Sequence, residues 1–204
     1  MKIFVINPNT SRTMTDHIRV ALEAVKRSDT ELTVTCPDSG PETIESAYDE
    51  AFAIPPTLGL VKKANEEGYD AVILACFSDP GLEAAREVSV IPVIGIEEST
   101  LHMAAMLGAK FSIMTPRKQR IPSKCEHVHI RGLSHFLASV RSLDLSVAET
   151  DSDPAKTKQR LMDVAKIAVE EDGAEVIVMG CAGMAGYARE IEETLSVKVL
   201  DPAA

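Results

Sequence analysis

Two stretches of the chain, AVILACFSDPG (71–81) and EVIVMGCAGMAG (175–186), each run a short apolar segment straight into a cysteine and then into small or turn-forming residues. The apolar run is continuous rather than alternating, so both its faces must be covered. That is the pattern of a strand in a parallel sheet sandwiched by helices. Six further segments read as strands: KIFVIN (2–7), ELTVTC (31–36), IPVIGI (91–96), KFSIMT (110–115), LDLSVAE (143–149) and VKVLD (197–201). Amphipathic stretches lie between them. Helices are expected at 11–26, opened by a Thr10/Ser11 cap, at 57–67 before Gly68, at 81–88, at 98–107 before Gly108, at 154–171 before Gly173 and at 187–195. Strand and helix alternate, which predicts an α/β fold. Residues 116–142 form a basic, Pro-punctuated stretch with one expected helix whose bounds the pattern does not fix.

The chain also matches itself. Cys76 falls on Cys181 at an offset of 105 residues, which carries Gly81 onto Gly186 and PVIGI (92–96) onto VKVLD (197–201). A second offset, 108, lays KIFVINP (2–8) over KFSIMTP (110–116). Such self-similarity predicts two half-copies, which are expected at 1–97, with 197–204 returning to it, and at 98–196. Ligands of open parallel sheets sit beyond the carboxyl ends of the strands, where Asn7 to Ser11, Cys76, Thr115, Pro116 and Cys181 all fall. Two halves facing each other would set the cysteines on opposite sides of one cleft, the expected active site.

Composition narrows the function classes. The 204 residues are 45% hydrophobic, with a mean hydropathy of +0.03, ample for a buried core. A formal net charge of −10 without a basic cluster argues against nucleic acid as a partner. No apolar run approaches the roughly 18 residues of a membrane span, and MKIFVINPNTS carries no small-residue cleavage site, so a soluble cytoplasmic protein is expected. The four cysteines (Cys36, Cys76, Cys125, Cys181) then read as reduced thiols.

A thiol at a strand end, just ahead of a helix start, lies near backbone N–H groups that favour the thiolate. Ser78 or Asp79 is a possible cap of the helix after Cys76, with Pro80 in its first turn. One thiolate and one thiol would satisfy a reaction that removes a proton from one face of a carbon and returns one to the other. The plainer reading is that strand-end cysteines are small core residues. Cys36 and Cys125, which lack a paired context, are assigned there, as are Met103, Met106 and Leu107. Cys125, His127 and His129 would share one side of an extended segment like metal ligands, but no fourth ligand has a clear spacing, and no metal is assigned. EEDGAE (170–175) reads as a solvated helix end.

The phrases INPNTS (6–11), GPETIES (40–46), ACFSDPGLEAARE (75–87), PVIGIEE (92–98) and GCAGMA (180–185) together resemble the hydantoin and allantoin racemase branch of the aspartate/glutamate racemase superfamily. The resemblance spans nearly the whole chain and is weakest over 117–142. It implies two α/β halves related by a pseudo-twofold axis and a proton transfer needing neither cofactor nor metal, often in a homo-oligomer, with Cys76 and Cys181 as the acid/base pair and a small-molecule substrate, a hydantoin or allantoin. Expected ligands of the substrate are the backbone N–H groups around Phe77, Ser78, Ala182 and Gly183, with Asn9 and Thr115 as side-chain donors. Asn9 serves equally well as a cap for the helix beginning at Ser11, and Glu45 is expected to be structural. The glutamate racemase branch has Asn-Thr after its cysteine and an N-terminal Asp-Ser-Gly. Cys76-Phe77-Ser78 and Asn7-Pro8-Asn9 stand here instead, which argues against an amino-acid substrate. Family members continue past the strand matching VKVLD with a further helix, whereas this sequence stops at DPAA, so the packing behind Asp201 is not implied by the resemblance. An isomerase or decarboxylase using the same cysteines, or a non-catalytic small-molecule binding module, are the alternative readings.

Overall fold

A computed structural model of the chain describes residues 1–181, 184 and 186–202. These fall into two compact units, 1–96 and 97–202. In the first, β1 (Lys2–Ile6) is flanked by β2 (Glu31–Thr35) and β3 (Ala71–Leu74), with β4 (Val93–Gly95) outside β3 and every pair parallel. The connecting helices are α1 (Arg12–Val25), α2 (Ala47–Glu66) and α3 (Leu82–Val88). Strand residues Phe4, Ile6, Val72 and Leu74 pack against Val61, Ala64, Leu82 and Ala85 of the helices. Each such large apolar side chain, once buried, contributes about 1.5–3 kcal/mol.

In the second unit β5 (Phe111–Thr115) lies between β6 (Leu137–Ser142) and β7 (Val176–Met179), with β8 (Lys198–Leu200) outside β7, again all parallel. Helices α4 (Ile96–Leu107), α5 (Ile121–Ile130), α6 (Val147–Ser152), α7 (Pro154–Glu170) and α8 (Ala188–Leu195) complete it. Met114, Ile177 and Met179 of the sheet pack on Leu161, Val164, Ala165 and Ala168 of α7 and Ile191 of α8. The strand orders, β2-β1-β3-β4 and β6-β5-β7-β8, are the same permutation. In each sheet the chain leaves the second strand of that order in one direction and returns on its other side. This makes a switch point between β1 and β3 and another between β5 and β7, where α/β sheets open a crevice beyond the strand ends. Lys198–Leu200, expected to return to the first half, is instead hydrogen-bonded to β7, in the same strand–helix–strand connection to a neighbouring parallel strand that joins β3 to β4 through α3.

Several local expectations are corrected. α2 begins at Ala47 rather than Thr57 and passes through Pro55 and Pro56. Each proline forfeits one helical N–H bond, but Ser46 caps the start by accepting from the Asp49 N–H, and Ala53, Thr57, Val61 and Ala64 bury one face along its length. LDLSVAE is not a strand. β6 lies just before it, half-buried because it is the sheet edge, and Leu143 and Leu145 are buried from an irregular segment that leads into α6. Met103, Met106 and Leu107 are 47%, 77% and 51% exposed, since the inward face of α4 is Glu97, Thr100, Leu101 and Ala104. Asp172, expected in a solvated helix end, holds Arg141 of β6 in a two-pronged ion pair (2.5 and 2.6 Å) and accepts from Ser139 Oγ. No described helix is long and apolar enough to cross a membrane.

Candidate active site

The two switch points carry matched geometry. In the first unit Ala75 N–H extends the β1–β3 ladder to the Ile6 carbonyl (2.8 Å), and Cys76 is the next residue. In the second, Gly180 N–H does the same to the Met114 carbonyl (2.7 Å), and Cys181 follows. Gly180 is required there, because a Cβ would lie 2.5 Å from the Met114 oxygen. Both cysteines are half-buried thiols at a strand's carboxyl end, whereas Cys36 is buried and Cys125 exposed. Cys125 is therefore not the core residue expected. CEHVH lies in α5 rather than in an extended segment, and at about 100° per residue His127 turns away from the face that Cys125 and His129 share, toward Glu97. Among the described residues no group of three or more His, Cys, Asp or Glu side chains is placed to hold a metal ion.

Around Cys76 the chain makes a tight turn. Ser78 and Asp79 both donate their N–H to the Cys76 carbonyl (2.8 and 3.0 Å), so the Ser78 amide is directed inside the turn, while the Ser78 hydroxyl lies 3.5 Å from Cys76 Sγ. Phe77 is buried. α3 begins only at Leu82, after Gly81 in the left-handed region (φ 75°), so neither Ser78 nor Asp79 caps it and Pro80 precedes it. Asp79 is itself left-handed (φ 46°) and buried, its carboxyl group set against Gly95 so closely that a Cβ there would lie 2.3 Å away. The loop after Cys181 is held comparably: Met184 N–H donates to the Cys181 carbonyl (3.0 Å) and Gly186 N–H to the Asp201 carboxylate (2.9 Å). Ala182 and Gly183 lie outside the described residues.

Asn9 is buried, and its side-chain oxygen accepts from Asn7 Nδ2 (2.8 Å) and Ser11 N–H (2.9 Å) while its own Nδ2 points to Met14 Sδ (3.3 Å). The cap of α1 is Ser11, accepting from Met14 N–H. Asn9 thus braces the loop after β1. Thr115 ends β5, is 1% exposed, and its Oγ1 has no hydrogen-bond partner among the described residues. A buried hydroxyl left so costs about 1–3 kcal/mol, and this one lies at a strand end beside the Gly180–Cys181 step.

The sequence did not reveal a buried charge cluster in the second unit. Glu97, fully buried, accepts from Lys124 Nζ (2.7 Å) and His127 Nδ1 (2.6 Å). Burial by itself raises the Glu97 pKa. The Lys124 charge, and then His127, outweigh it and hold the carboxyl group below its ordinary value. The clue available in the sequence was a lysine and a histidine three residues apart in what proves to be a helix.

The Asp/Glu/Hydantoin racemase family profile matches residues 3–204. The chain is 45% identical over 202 residues to a hydantoin racemase of Pseudomonas sp. (strain NS671), covering 98% of this chain and 81% of that one. It is 39% identical to a hydantoin racemase of Paenarthrobacter aurescens, covering 99% and 86%. The solved structure of allantoin racemase from Klebsiella pneumoniae superposes with a TM-score of 0.96 at 37% identity, over 100% of this chain and 83% of that chain. The chain belongs to the Asp/Glu/hydantoin racemase family, and is an enzyme of that racemase class.

Proposed function

We propose that this enzyme interconverts the enantiomers of a 5-substituted hydantoin, with allantoin the natural substrate, by proton transfer at C5 between Cys76 and Cys181. The observation that carries the reading is the matched placement of the two thiols, each one residue beyond the ladder bond that closes its switch point. The identities to hydantoin and allantoin racemases support the substrate class. The C5–H of a hydantoin adjoins a carbonyl and a ring nitrogen, so the carbanion is delocalised as an enolate. A thiolate takes the C5 proton, the C–H pair moves into the enolate, and the second thiol returns a proton to the opposite face, leaving the first cysteine as thiol and the second as thiolate. The orphan Thr115 hydroxyl is our candidate donor to a ring carbonyl, where a positioned donor gains strength as charge develops. Asn9 then acts indirectly, by fixing the loop after β1. The expected homo-oligomer and cytoplasmic location belong to this reading and are read out by light scattering and fractionation.

Proton NMR in D₂O tests it. Enantiopure allantoin and a 5-alkylhydantoin are followed for loss of the C5–H signal with and without enzyme, since these rings exchange slowly alone. Enzyme-dependent exchange is the expected result; exchange of neither compound above the blank would refute the racemase reading.

A further inference from the structure

Ser78 lies two residues beyond Cys76, half-buried in the turn that follows β3. The turn fixes the two residues against each other. The Cys76 carbonyl accepts from the Ser78 and Asp79 N–H groups (2.8 and 3.0 Å), and Phe77, between Cys76 and Ser78, is buried. The Ser78 hydroxyl is thereby held 3.5 Å from Cys76 Sγ, its one hydrogen-bond partner among the described residues. That contact does not treat the two states of the thiol alike. While Cys76 carries its proton, either atom can donate. Once the proton has gone, sulfur has nothing to give, and Ser78 is the donor to an anion, in a charge-assisted bond about twice as strong as a neutral one. A hydrogen bond made better to the charged form favours that form.

The duplicated halves part company at this residue. At the offset that lays Cys76 on Cys181, Ser78 falls on Gly183, which has no hydroxyl. The charged groups of the elements around the Cys76 turn are few. Asp79 is the carboxylate of the turn itself, set against Gly95. β1 and β4, the neighbours of β3, reach the same edge with Asn7 and Gly95, neither of them charged. α2 meets the turn through Ile54, against Gly81, and Glu83, Arg86 and Glu87 of α3 are exposed. Glu97, two residues beyond Gly95, is paired with Lys124 and His127.

We infer that Ser78 is a positioning residue for the proton transfer: its hydroxyl donates to the Cys76 thiolate, favours that state before substrate binds, and orients the sulfur within the turn. Its place in the reaction rests on the two-thiol reading above. When Cys76 takes the C5 proton an S–H bond forms, the C5 electron pair passes into the enolate, and Ser78 keeps its own proton while its contact reverts to a neutral one. The hydroxyl stands in place beforehand, so no reorganisation is needed as the charge comes and goes.

The test is iodoacetamide labelling with peptide mapping, without substrate, over about pH 5 to 10, which gives a midpoint for each thiol. It compares wild type with Ser78→Ala, Ser78→Gly and Ser78→Thr. The glycine variant copies the residue at the matching place in the other half, and the threonine variant retains the hydroxyl. Asp79 is present in every variant, so its influence on Cys76 is common to all. Cys36, 3% exposed, stays unmodified while the chain is folded, so each sample reports its own integrity. The Cys76 midpoint is expected to rise by about one pH unit in Ser78→Ala and Ser78→Gly, and to stay within about 0.3 of wild type in Ser78→Thr. The Cys181 midpoint should move by less than about half as much. The acid limb of the kcat/KM profile for enantiopure allantoin should rise with the Cys76 midpoint. A Cys76 midpoint unmoved in Ser78→Ala or Ser78→Gly, an equal movement at Cys181, or equal shifts in Ser78→Ala and Ser78→Thr would overturn the assignment. Labelling needs no substrate: a wild type that gives the expected midpoints yet leaves the C5–H unexchanged refutes the hydantoin reading, and the Ser78–Cys76 bond stands without it.

Discussion

At the scale of single residues, the two thiols and the Thr115 hydroxyl make separable claims. General acid–base groups contribute about 10²–10⁴-fold, so Cys76→Ala and Cys181→Ala should each lower racemisation, followed by polarimetry, by at least about 100-fold. Full activity in either variant would remove that cysteine from the proton transfer. Thr115→Val keeps the side-chain shape and deletes a buried hydroxyl that has no partner among the described residues. Removing such a group relieves a penalty of about 1–3 kcal/mol, so Tm should hold or rise while kcat/KM for the hydantoin falls about tenfold. A lower Tm with unchanged kcat/KM would make the hydroxyl structural. Gly95→Ala tests the brace behind Cys76. A methyl group there would overlap the buried Asp79 carboxyl, so that side chain, or the left-handed turn that carries it, must shift. A loss of about tenfold in kcat is expected, and unimpaired kcat would show that the turn adjusts freely.

At the scale of elements, seven of the eight strands were legible in the sequence, the central four together with the outer strands β2, β4 and β8. β1, β3, β5 and β7 are central in their sheets and read as continuous apolar runs. β6 was missed because its Ser139, Arg141 and Ser142 serve polar contacts that break the apolar pattern. The Glu97 cluster was illegible for a different reason: its members come from α4 and α5, and no local pattern marks a lysine for burial. It contributes to the expected response of this unit to acid. A carboxylate whose folded pKa lies below its unfolded value adds stability at neutral pH, and that contribution starts to fade as pH falls below the ordinary value of 4.5 and is gone below the folded pKa. Lys124→Met leaves the carboxylate buried without its cation, which should cost about 3–5 kcal/mol in urea unfolding. Adding Glu97→Gln to that variant should recover part of the loss and flatten the acid limb. A cost below about 1 kcal/mol would place the pair among solvated ion pairs.

At the scale of the whole molecule, both offsets of the self-match meet in the ladder bonds that precede the cysteines: the donors Ala75 and Gly180 are 105 residues apart, like Cys76 and Cys181, and the acceptors Ile6 and Met114 are 108 apart. Duplication was legible because a repeated fold repeats its strand-end sterics: small residues before each cysteine and a turn after it. The placement of the four thiols was only half legible, since the strand-end pattern located Cys76 and Cys181 but gives no account of Cys125, which α5 carries at the surface. Thiol alkylation of the intact chain reads the four sites at once. Cys36, 3% exposed, should stay unmodified in the folded protein, and Cys125 should react at the rate of an ordinary surface thiol whether or not a hydantoin is present. Cys76 and Cys181, half-buried, should react despite lower access if one of them is held as thiolate, and a saturating hydantoin should slow both by about the factor that its occupancy predicts. Peptide mapping of iodoacetamide-treated protein gives the four rates. Protection confined to one of the pair would leave a one-thiol reaction, and uniform slow modification of both, unchanged by ligand, would make them core residues.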